Sequence, residues 1–363
     1  NPLFRGIENW LCEKPMAQNK TTDSTTEAAG AVIRAMIEGL RIAQILYVAA
    51  RLGLADYLKD GPRGCDELAH ATDSHGPTLR RVLRALASVG ILAQDDQQRF
   101  SLTPIGELLR SDSADSLRDL VLNALAEERY RAWGGVMHTV KTGETAFDHV
   151  FGVGVWQYRA AHAEFGALFD KSIATFTAHV QAALEAYPFG NFKTIVDVGG
   201  GNGSLMTVIL QAHSSLHGVI VDLPRVAEQT RRRIATAGLT DRCDVIGGDA
   251  FQDLPTGADG YILSTVIHDW DDEHSIALLQ SCRRAMTPDS RLVLIERVLP
   301  ERLDNSPASR PVVMSDLNMM VMTGGHERTV TEYEALFQAA GFALTKVTPT
   351  DSIMSVIEAK PLS

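Results

Sequence analysis

Short runs of Val, Ile and Leu alternate with longer helical stretches through the C-terminal half of the chain, and this alternation limits the possible folds most strongly. Runs of this composition are typical of strands that are buried on both faces of a parallel sheet. Because helical stretches separate them, they predict an α/β domain with a doubly wound, mostly parallel sheet. The five runs occupy residues 194–199, 217–222, 243–248, 259–264 and 291–298.

Two further apolar runs follow near residues 342–348 and 353–359. A parallel connection needs about a dozen residues or more, and the gap between these runs is too short for one. We therefore expect the sheet to end in an antiparallel hairpin.

The N-terminal part of the chain has a different pattern. Between residues 25 and 58, apolar side chains recur at helical spacing on several sides of one segment. A helix with so much apolar surface needs more partners than one neighbour offers, so we expect it to form a dimer interface. Residues 1–24 are polar with few apolar anchors and are predicted to be a disordered tail, to which we assign no function.

Residues 65–110 read as a helix, a short turn, a second helix and a small hairpin, which is the pattern of a winged helix. Such a module could bind DNA through Arg80, Arg81 and Arg84, or it could be purely structural. Residues 60–110 contain six basic and seven acidic side chains, a net charge of −1. DNA-binding modules normally carry a basic surface, so the structural interpretation is favoured.

The composition limits the partners and the compartment. The 363 residues carry a net charge of −11, which favours small neutral or cationic ligands over nucleic acid or anionic membranes. Four scattered cysteines, without a C-x-x-C pair, argue against a disulfide framework and a zinc–cysteine site. The chain shows neither a run of roughly 20 apolar residues nor a secretory signal pattern, so we expect a cytoplasmic protein. The cysteines are Cys12, Cys65, Cys243 and Cys282.

A glycine-rich turn follows the first run of the sheet, directly after Asp197-Val198. Glycines at a strand-to-helix turn let the backbone approach a ligand and direct helix N–H groups toward it. The glycines fall at Gly199, Gly201 and Gly203, with Gly200 between them, whereas a dinucleotide fingerprint would need its third glycine at Ser204. This spacing favours a cofactor without a pyrophosphate.

Acidic residues follow the next two runs, where the carboxyl ends of parallel strands form a ligand site. Asp222 ends the second run and is suited to accept hydrogen bonds from both hydroxyls of a ribose. Asp249 and Phe251 follow the third run and are suited to an adenine, as an acceptor for its amino group and as an apolar wall. Each acid alone is more often a helix cap or a surface charge. The glycine-rich turn, Asp222 and Asp249 lie at the carboxyl ends of three consecutive predicted strands, however, and together they predict an adenosyl cofactor.

Five motifs appear in order along the chain: VDVGGGNGS, VDLPRV, GDAF, HDWDDEH and GGHERT. In these five motifs and their order, the chain resembles the class I S-adenosylmethionine-dependent O-methyltransferases of the plant caffeic-acid and bacterial secondary-metabolite type. The resemblance covers roughly residues 28–360. The resemblance implies a Rossmann-like methyltransferase fold and a winged helix that serves dimerisation and covers the substrate pocket. It also implies a cofactor site in which the glycines hold the methionine end, Asp222 the ribose, and Asp249 with Ala250 the adenine region.

These patterns divide the chain into four predicted segments. They are the tail at 1–24, a winged-helix-like dimerisation domain at 25–112, a helical connecting and substrate-covering region at 113–188, and the S-adenosylmethionine-binding catalytic domain at 189–363.

His268 follows the fourth run of the sheet, directly above the expected cofactor. Methyl transfer to a hydroxyl is easier once the hydroxyl proton has left, and an imidazole with a pKa near 6.5 accepts that proton at neutral pH. Asp271 is expected to cap the next helix. Glu296 lies in an apolar run and needs a partner. By resemblance, Glu296 and Glu327 are the two glutamates that flank the base.

The substrate pocket is less clearly marked. Ser264 stands where plant members of the family have a lysine, and we assign Ser264 to the edge of the cofactor site. The segment 314–322 is rich in methionines, which adapt to flat aromatic ligands but also serve helix packing. The predicted substrate-binding residues are Trp156, Asn318, Met319 and Met322.

The sequence therefore predicts a homodimeric, S-adenosylmethionine-dependent O-methyltransferase (EC 2.1.1 type) that acts on a phenolic or enolic hydroxyl of a small aromatic secondary metabolite. The catalytic residues are His268, Glu296 and Glu327. No metal is expected, because the scattered histidines and cysteines offer no ligand cluster. One alternative is hydroxylation, decarboxylation or ring formation in the same pocket, and a more distant one is a ligand-sensing regulator that uses the winged helix.

Overall fold

The computed structural model describes residues 22–173, 177–304, 306 and 309–362. The chain divides into two compact units, with the boundary after Tyr130. No helix within these described ranges is long and apolar enough to cross a membrane.

The first unit is mainly helical and contains one short hairpin. Its apolar core joins the helices to the hairpin, with Leu68, Leu83 and Leu86 completely buried. Its elements are α1 (Thr22–Arg51), α2 (Leu54–Leu58), α3 (Cys65–Ala71), α4 (Gly76–Ser88), β1 (Leu92–Gln94), β2 (Phe100–Leu102), α5 (Pro104–Glu107) and α6 (Arg118–Ala124).

Helix α1 confirms the long apolar helix that the sequence predicts. It begins at Thr22, so the last three residues of the predicted tail are helical, and the rest of the tail lies outside the described residues. Gly53 separates α1 from α2 with a φ of 64°, a conformation that favours glycine. Within this unit α1 leaves a continuous apolar face exposed, formed by Val32, Ile33, Met36, Ile37 and Leu40.

The predicted sequence of helix, turn, helix and hairpin is also present, as α3, α4 and the antiparallel pair β1–β2. Several basic side chains in this region are paired with neighbouring acids. Arg80 contacts Asp66 at 3.5 Å, and Arg99 contacts Asp95 at 2.8 Å. These ion pairs reduce the positive charge that a DNA contact would require.

Helices precede the sheet in the second unit and also cover both of its faces. Helix α7 (Glu127–Gly134) contains the boundary between the units. The others are α8 (Val136–Thr142), α9 (Ala146–Phe151), α10 (Val155–Ala161), α11 (Ala163–Ile173), α12 (Thr177–Ala186), α13 (Ser204–Ala212), α14 (Pro224–Thr236), α15 (Asp272–Ala285), α16 (Ser309–Met322) and α17 (Val330–Ala340).

The sheet has seven strands, and its two faces bury separate apolar clusters, as expected for a doubly wound fold. The strands are β3 (Thr194–Val198), β4 (His217–Asp222), β5 (Cys243–Gly247), β6 (Gly260–Ser264), β7 (Arg291–Glu296), β10 (Phe342–Pro349) and β11 (Ser355–Pro361). Their spatial order is β10-β11-β7-β6-β3-β4-β5. Strands β7, β6, β3, β4 and β5 are parallel, while β10 and β11 form the predicted antiparallel hairpin at one edge.

The predicted strand at 291–298 is divided in two. Strand β7 ends at Glu296, and Val298–Leu299 forms a separate strand, β8, which pairs in parallel with β9 (Arg328–Thr329). This small sheet joins the chain after Glu296 to the chain after Glu327. Two glutamates that lie far apart in the sequence are thereby brought to one place.

Candidate active site

The glycine turn, residues 199–203, connects β3 to α13 and depends on glycine for its backbone conformation. Gly199, Gly201 and Gly203 all have positive φ, at 71°, 56° and 75°. A Cβ at Gly200 would lie 2.6 Å from the Oδ2 atom of Asp197, so a side chain there would displace the carboxylate. A Cβ at Gly201 would meet nothing within 4 Å, which leaves this side of the turn open to a ligand.

Two carboxylates lie beside this turn. The Oδ2 atom of Asp222 accepts a hydrogen bond from Gly201 N at 2.7 Å, so Asp222 holds the turn and keeps further lone pairs for a ribose. Asp197 is completely buried, and neither of its carboxylate oxygens has a hydrogen-bond partner in the described part of the chain. Burial and the nearby charge of Asp222 raise the pKa of Asp197 to about 7. An open turn beside two carboxylates fits S-adenosylmethionine, whose sulfonium centre is positively charged.

The residues predicted to contact the adenine lie after β5, at the same edge of the sheet. Asp249 accepts hydrogen bonds from Phe251 N and from the side chain of Gln252, both at 3.0 Å. Asp249 therefore stabilises its own turn, in line with the alternative that this acid is a local cap. Its hydrogen bond to the adenine amino group stays a prediction. The Phe251 ring packs edge-on against Trp270 with 5.0 Å between centroids. Ala250 lies between Asp249 and Phe251, and Ser264 ends β6.

His268 lies in a tight turn after β6, which we call the His268 turn (residues 265–270). The side chain is buried, with 7% of the residue exposed. Its Nδ1 atom lies 3.0 Å from Oε1 of Glu327 and 3.6 Å from Oε2 of Glu296. The structure therefore brings the three predicted catalytic residues together. In the neutral form of His268, with its proton on Nδ1 directed at Glu327, the lone pair on Nε2 can accept a proton.

The carboxylates change the basicity of this imidazole. Burial alone would lower the pKa of His268, but Glu296, Asp269 and Glu327 together raise it to about 9. The sequence-based expectation of an ordinary pKa near 6.5 therefore needs correction, because these carboxylates stabilise the imidazolium. Burial also raises the pKa of Glu296, to about 7.

Glu296 has a second role that its position in an apolar strand did not reveal. Its Oε1 atom accepts hydrogen bonds from the backbone N–H groups of Val266 and Ile267, both at 2.9 Å. The expectation that this buried charge needs a partner is confirmed. Its partners are two backbone amides as well as His268, so Glu296 fixes the path of the His268 turn.

Glu327 is held by two residues that the sequence analysis did not identify. The hydroxyl of Ser315, on α16, donates to Oε1 of Glu327 at 2.6 Å, and Nη1 of Arg297 lies 3.5 Å from the same oxygen. Burial would raise the pKa of Glu327, but His268, Arg297 and Ser315 together lower it. In the sequence, the signal for Arg297 is its charge, which directly follows Glu296 at the end of an apolar run.

Arg328 was also missed, although it directly follows Glu327. Its guanidinium is completely buried and donates to Oδ1 of Asp272 at 2.8 Å and to the carbonyl oxygens of Trp270 and Ile267 at 3.1 and 3.3 Å. Arg328 therefore ties β9 to the His268 turn. Asp271 caps α15 by accepting from His274 N, as predicted.

The predicted substrate-binding residues lie on α10 and α16. Trp156 is half-buried, and the guanidinium of Arg159 lies 4.6 Å from the centre of its ring. Asn318 and Met319 are half-buried, whereas Met322 is only 1% exposed. Helix packing, the alternative role, suits Met322 best, and its contact with substrate stays a prediction.

The three predicted catalytic residues also form a group of potential metal ligands. One donor atom each from His268, Glu296 and Glu327 lies within 4.8 Å of the other two. From the sequence no ligand cluster is expected among the scattered histidines and cysteines, and Glu296 and Glu327 are expected beside His268 as partners of the base rather than as metal ligands.

Comparison with known proteins identifies the family. The family model of the O-methyltransferase domain matches residues 133–343, and that of the O-methyltransferase dimerisation domain matches residues 35–112. The chain therefore belongs to the O-methyltransferase family. It is an S-adenosylmethionine-dependent methyltransferase that forms a homodimer.

Three relatives illustrate the range of the family. Phenazine O-methyltransferase PhzM of Lysobacter antibioticus is 43% identical, over 91% of this chain and 96% of its own length. The O-methyltransferase NcsB1 from neocarzinostatin biosynthesis, solved with S-adenosylmethionine and 2-hydroxy-5-methyl naphthoic acid, has a TM-score of 0.80 and 32% identity, over 88% of this chain and 96% of that one. Aclacinomycin 10-hydroxylase RdmB of Streptomyces purpurascens is 34% identical, over 82% of this chain and 80% of its own length.

Proposed function

We propose that this enzyme methylates a phenolic or enolic hydroxyl of a small aromatic secondary metabolite, with His268 as the general base. The observation that carries the proposal is the orientation of His268, whose Nδ1 atom faces Glu327 at 3.0 Å and leaves Nε2 available. The phenazine in the name of PhzM and the naphthoic acid bound in the NcsB1 structure support a flat aromatic acceptor.

S-adenosylmethionine, when bound, supplies an activated methyl group. The glycine turn, Asp222, Asp249 with Ala250, Phe251 and Ser264 are the residues that we assign to holding it. Asp222 binds the ribose hydroxyls with the lone pairs that the backbone N–H groups leave unused. Asp197 contributes a buried carboxyl group beneath the turn, where a positive charge on the ligand favours its ionised form.

His268 would remove the acceptor proton, which leaves the hydroxyl oxygen able to take the methyl group that bound S-adenosylmethionine would supply. The proton moves to Nε2, and the imidazolium that results is stabilised by Glu327 at Nδ1. Glu296 keeps the His268 turn in position through its two backbone hydrogen bonds and adds a second negative charge. The positive charge on the imidazole therefore forms in a site that already favours it.

Trp156, Asn318, Met319 and Met322 are the residues that we assign to the walls of the acceptor pocket. Indole and thioether side chains contact the faces of an aromatic ring without fixing one orientation. The amide of Asn318 supplies a hydrogen-bonding group to orient a polar substituent.

The test is a mass-spectrometric methylation assay with a panel of hydroxylated aromatic compounds, including phenazines and naphthoic acids. Each compound is paired with its methyl ether, in which the acceptor hydroxyl is blocked. We expect one added methyl group on a free hydroxyl and none on the matched ether. Methylation only at nitrogen or carbon would contradict the proposed acceptor.

A second candidate is hydroxylation in the same pocket, and the similarity to RdmB favours it over decarboxylation or ring formation. The same assay separates the two reactions, because a hydroxylase adds one oxygen atom while a methyltransferase adds one CH₂ to the substrate mass. If the enzyme were a hydroxylase, His268 would not act as the general base of methyl transfer.

We also infer a cytoplasmic location. Cys65, Cys243 and Cys282 are all buried free thiols, which suits a reducing compartment. Recovery of the protein in the soluble cytoplasmic fraction of its cells tests this assignment.

A further inference from the structure

We propose that His268, Glu296 and Glu327 also form a binding site for Zn²⁺, and that the bound ion inhibits methyl transfer. Inhibition follows only if His268 is the base, so that half of the inference rests on the proposed function. Binding of the ion does not depend on it.

The spacing of the donor atoms fits a tetrahedral ion. Zinc binds imidazole nitrogen and carboxylate oxygen at about 2.0–2.2 Å, so neighbouring ligands of a tetrahedral ion lie about 3.4 Å apart. Nδ1 of His268 lies 3.0 Å from Glu327 Oε1 and 3.6 Å from Glu296 Oε2, on either side of that value. The three ligand atoms all lie within 4.8 Å of one another, so one ion can contact all three after the carboxylates move toward it.

The two glutamates also have unused acceptor capacity. The Oε2 atoms of Glu296 and Glu327 are buried and have no hydrogen-bond partner within the described ranges. Buried carboxylate oxygens without a hydrogen bond are costly, and a bound cation would satisfy them. Both side chains are completely or almost completely buried, and both point toward the Nδ1 side of His268.

The donor set favours zinc over magnesium. One imidazole and two carboxylates suit Zn²⁺, whereas Mg²⁺ requires near-octahedral oxygen ligands and keeps several waters. Arg297 lies 3.5 Å from Glu327 and opposes any cation through its own positive charge. The two carboxylates together outweigh this single charge, so we expect binding to be reversible rather than permanent.

Zinc on Nδ1 is incompatible with base catalysis at Nε2. A neutral imidazole has one nitrogen with a lone pair and one that carries a proton. If the ion occupies the lone pair of Nδ1, the proton must be on Nε2, whether it was already there or moved from Nδ1. Nε2 then has no lone pair for the acceptor proton, and the methyl-transfer step loses its base.

The experiment measures Zn²⁺ binding to the full-length protein by calorimetry and, separately, methyl transfer with and without Zn²⁺. The variants are Glu296→Gln and Glu327→Gln, whose amide oxygen still accepts the hydrogen bonds that the carboxylate receives. His217→Ala is the matched control, because His217 is a half-buried histidine that lies 3.7 Å from Asp244 on a neighbouring strand. Circular dichroism verifies that every variant is folded.

We expect one Zn²⁺ per wild-type chain, loss of methyl transfer at saturation, and full recovery after EDTA. Each glutamine variant should bind Zn²⁺ at least about tenfold more weakly, while His217→Ala should match the wild type. Undetectable binding to the wild type, or equal binding by the glutamine variants, would overturn the site. Activation by Zn²⁺ would overturn the inhibition. An inactive metal-free enzyme that binds Zn²⁺ as expected would instead count against the proposed function.

Discussion

The glycine turn and the His268 turn follow two adjacent strands of the sheet, β3 and β6, but different interactions hold them in place. In the glycine turn, three glycines adopt positive φ without steric cost, and Asp222 adds one hydrogen bond to the backbone. In the His268 turn, Thr265 has a φ of 53°, which is unfavourable for a β-branched residue.

Buried charges compensate for that strain. Glu296 accepts the N–H groups of Val266 and Ile267, and Arg328 binds the carbonyl oxygens of Ile267 and Trp270. Strained backbone persists at functional sites when the surrounding structure determines it. The cofactor side of this site therefore depends on the conformational freedom of its glycines, whereas the base side depends on tertiary contacts.

The largest effect should follow from removing the base itself. His268→Ala should lower kcat by about 10²–10⁴-fold at neutral pH, the range of general-base catalysis. Affinity for S-adenosylhomocysteine, measured by calorimetry, should stay within about twofold, because the glycine turn, Asp222 and Asp249 lie at the carboxyl ends of β3, β4 and β5 rather than of β6. Activity should partly recover at high pH, where a phenol with a pKa of about 10 ionises unaided. Near-normal turnover of this variant at neutral pH would remove His268 from the mechanism.

The opposite pattern is expected for Asp222→Ala. Loss of charge-assisted hydrogen bonds to the ribose and to Gly201 should weaken S-adenosylhomocysteine binding by roughly 1–3 kcal/mol. At saturating cofactor, turnover should fall much less than in His268→Ala. Asp244→Ala, an exposed acid on β5, is the control and should leave affinity unchanged. Equal loss of binding in both variants would show a general effect of charge rather than a ribose contact.

The basicity of His268 gives a smaller, directional test. His268 must be neutral to accept a proton, and its pKa is raised to about 9, so kcat/KM should rise with pH and level off only above that value. The charged groups around the imidazole are Glu296, Asp269 and Glu327, with Arg297 beside Glu327. Removing one negative charge with Glu327→Gln should lower the pKa of His268 and move the rising limb to lower pH.

An NMR titration of the His268 imidazole in the cofactor-free protein measures the same change directly. Glu228→Gln, which alters an exposed acid on α14, is the control and should leave the titration in place. A His268 titration near 6.5 in both the wild type and Glu327→Gln would contradict the stabilisation by these carboxylates.

The contrast between the two turns also explains which features the sequence could predict. The sheet, the glycine turn and Asp222 can be predicted from local patterns. Apolar runs mark the strands, the spacing of glycines marks the turn, and Asp222 ends a run, so each signal lies within a few consecutive residues. The contacts of Glu327 with Ser315 and Arg297 depend on the pairing of β8 with β9 and on the position of α16. No local pattern encodes those distances, and the raised pKa of His268 follows from them.

The smallest expected effects test the comparison itself, through the free energy of unfolding without ligand. Gly201→Ala places a side chain at a φ of 56° where nothing lies within 4 Å, so its cost is conformational, about 1–2 kcal/mol. Thr265→Gly removes the same kind of strain at the other turn. The substitution also raises the conformational entropy of the unfolded chain, and it removes a hydrogen bond from the Thr265 hydroxyl to Ser264 O at 2.7 Å. These two costs oppose the relief of strain, so the net change in the free energy of unfolding should stay within about 1 kcal/mol of zero. Chemical denaturation of both variants measures the two values. If Thr265→Gly cost as much as Gly201→Ala, strain at Thr265 would not distinguish the two turns, and the buried contacts of Glu296 and Arg328 would have nothing to compensate.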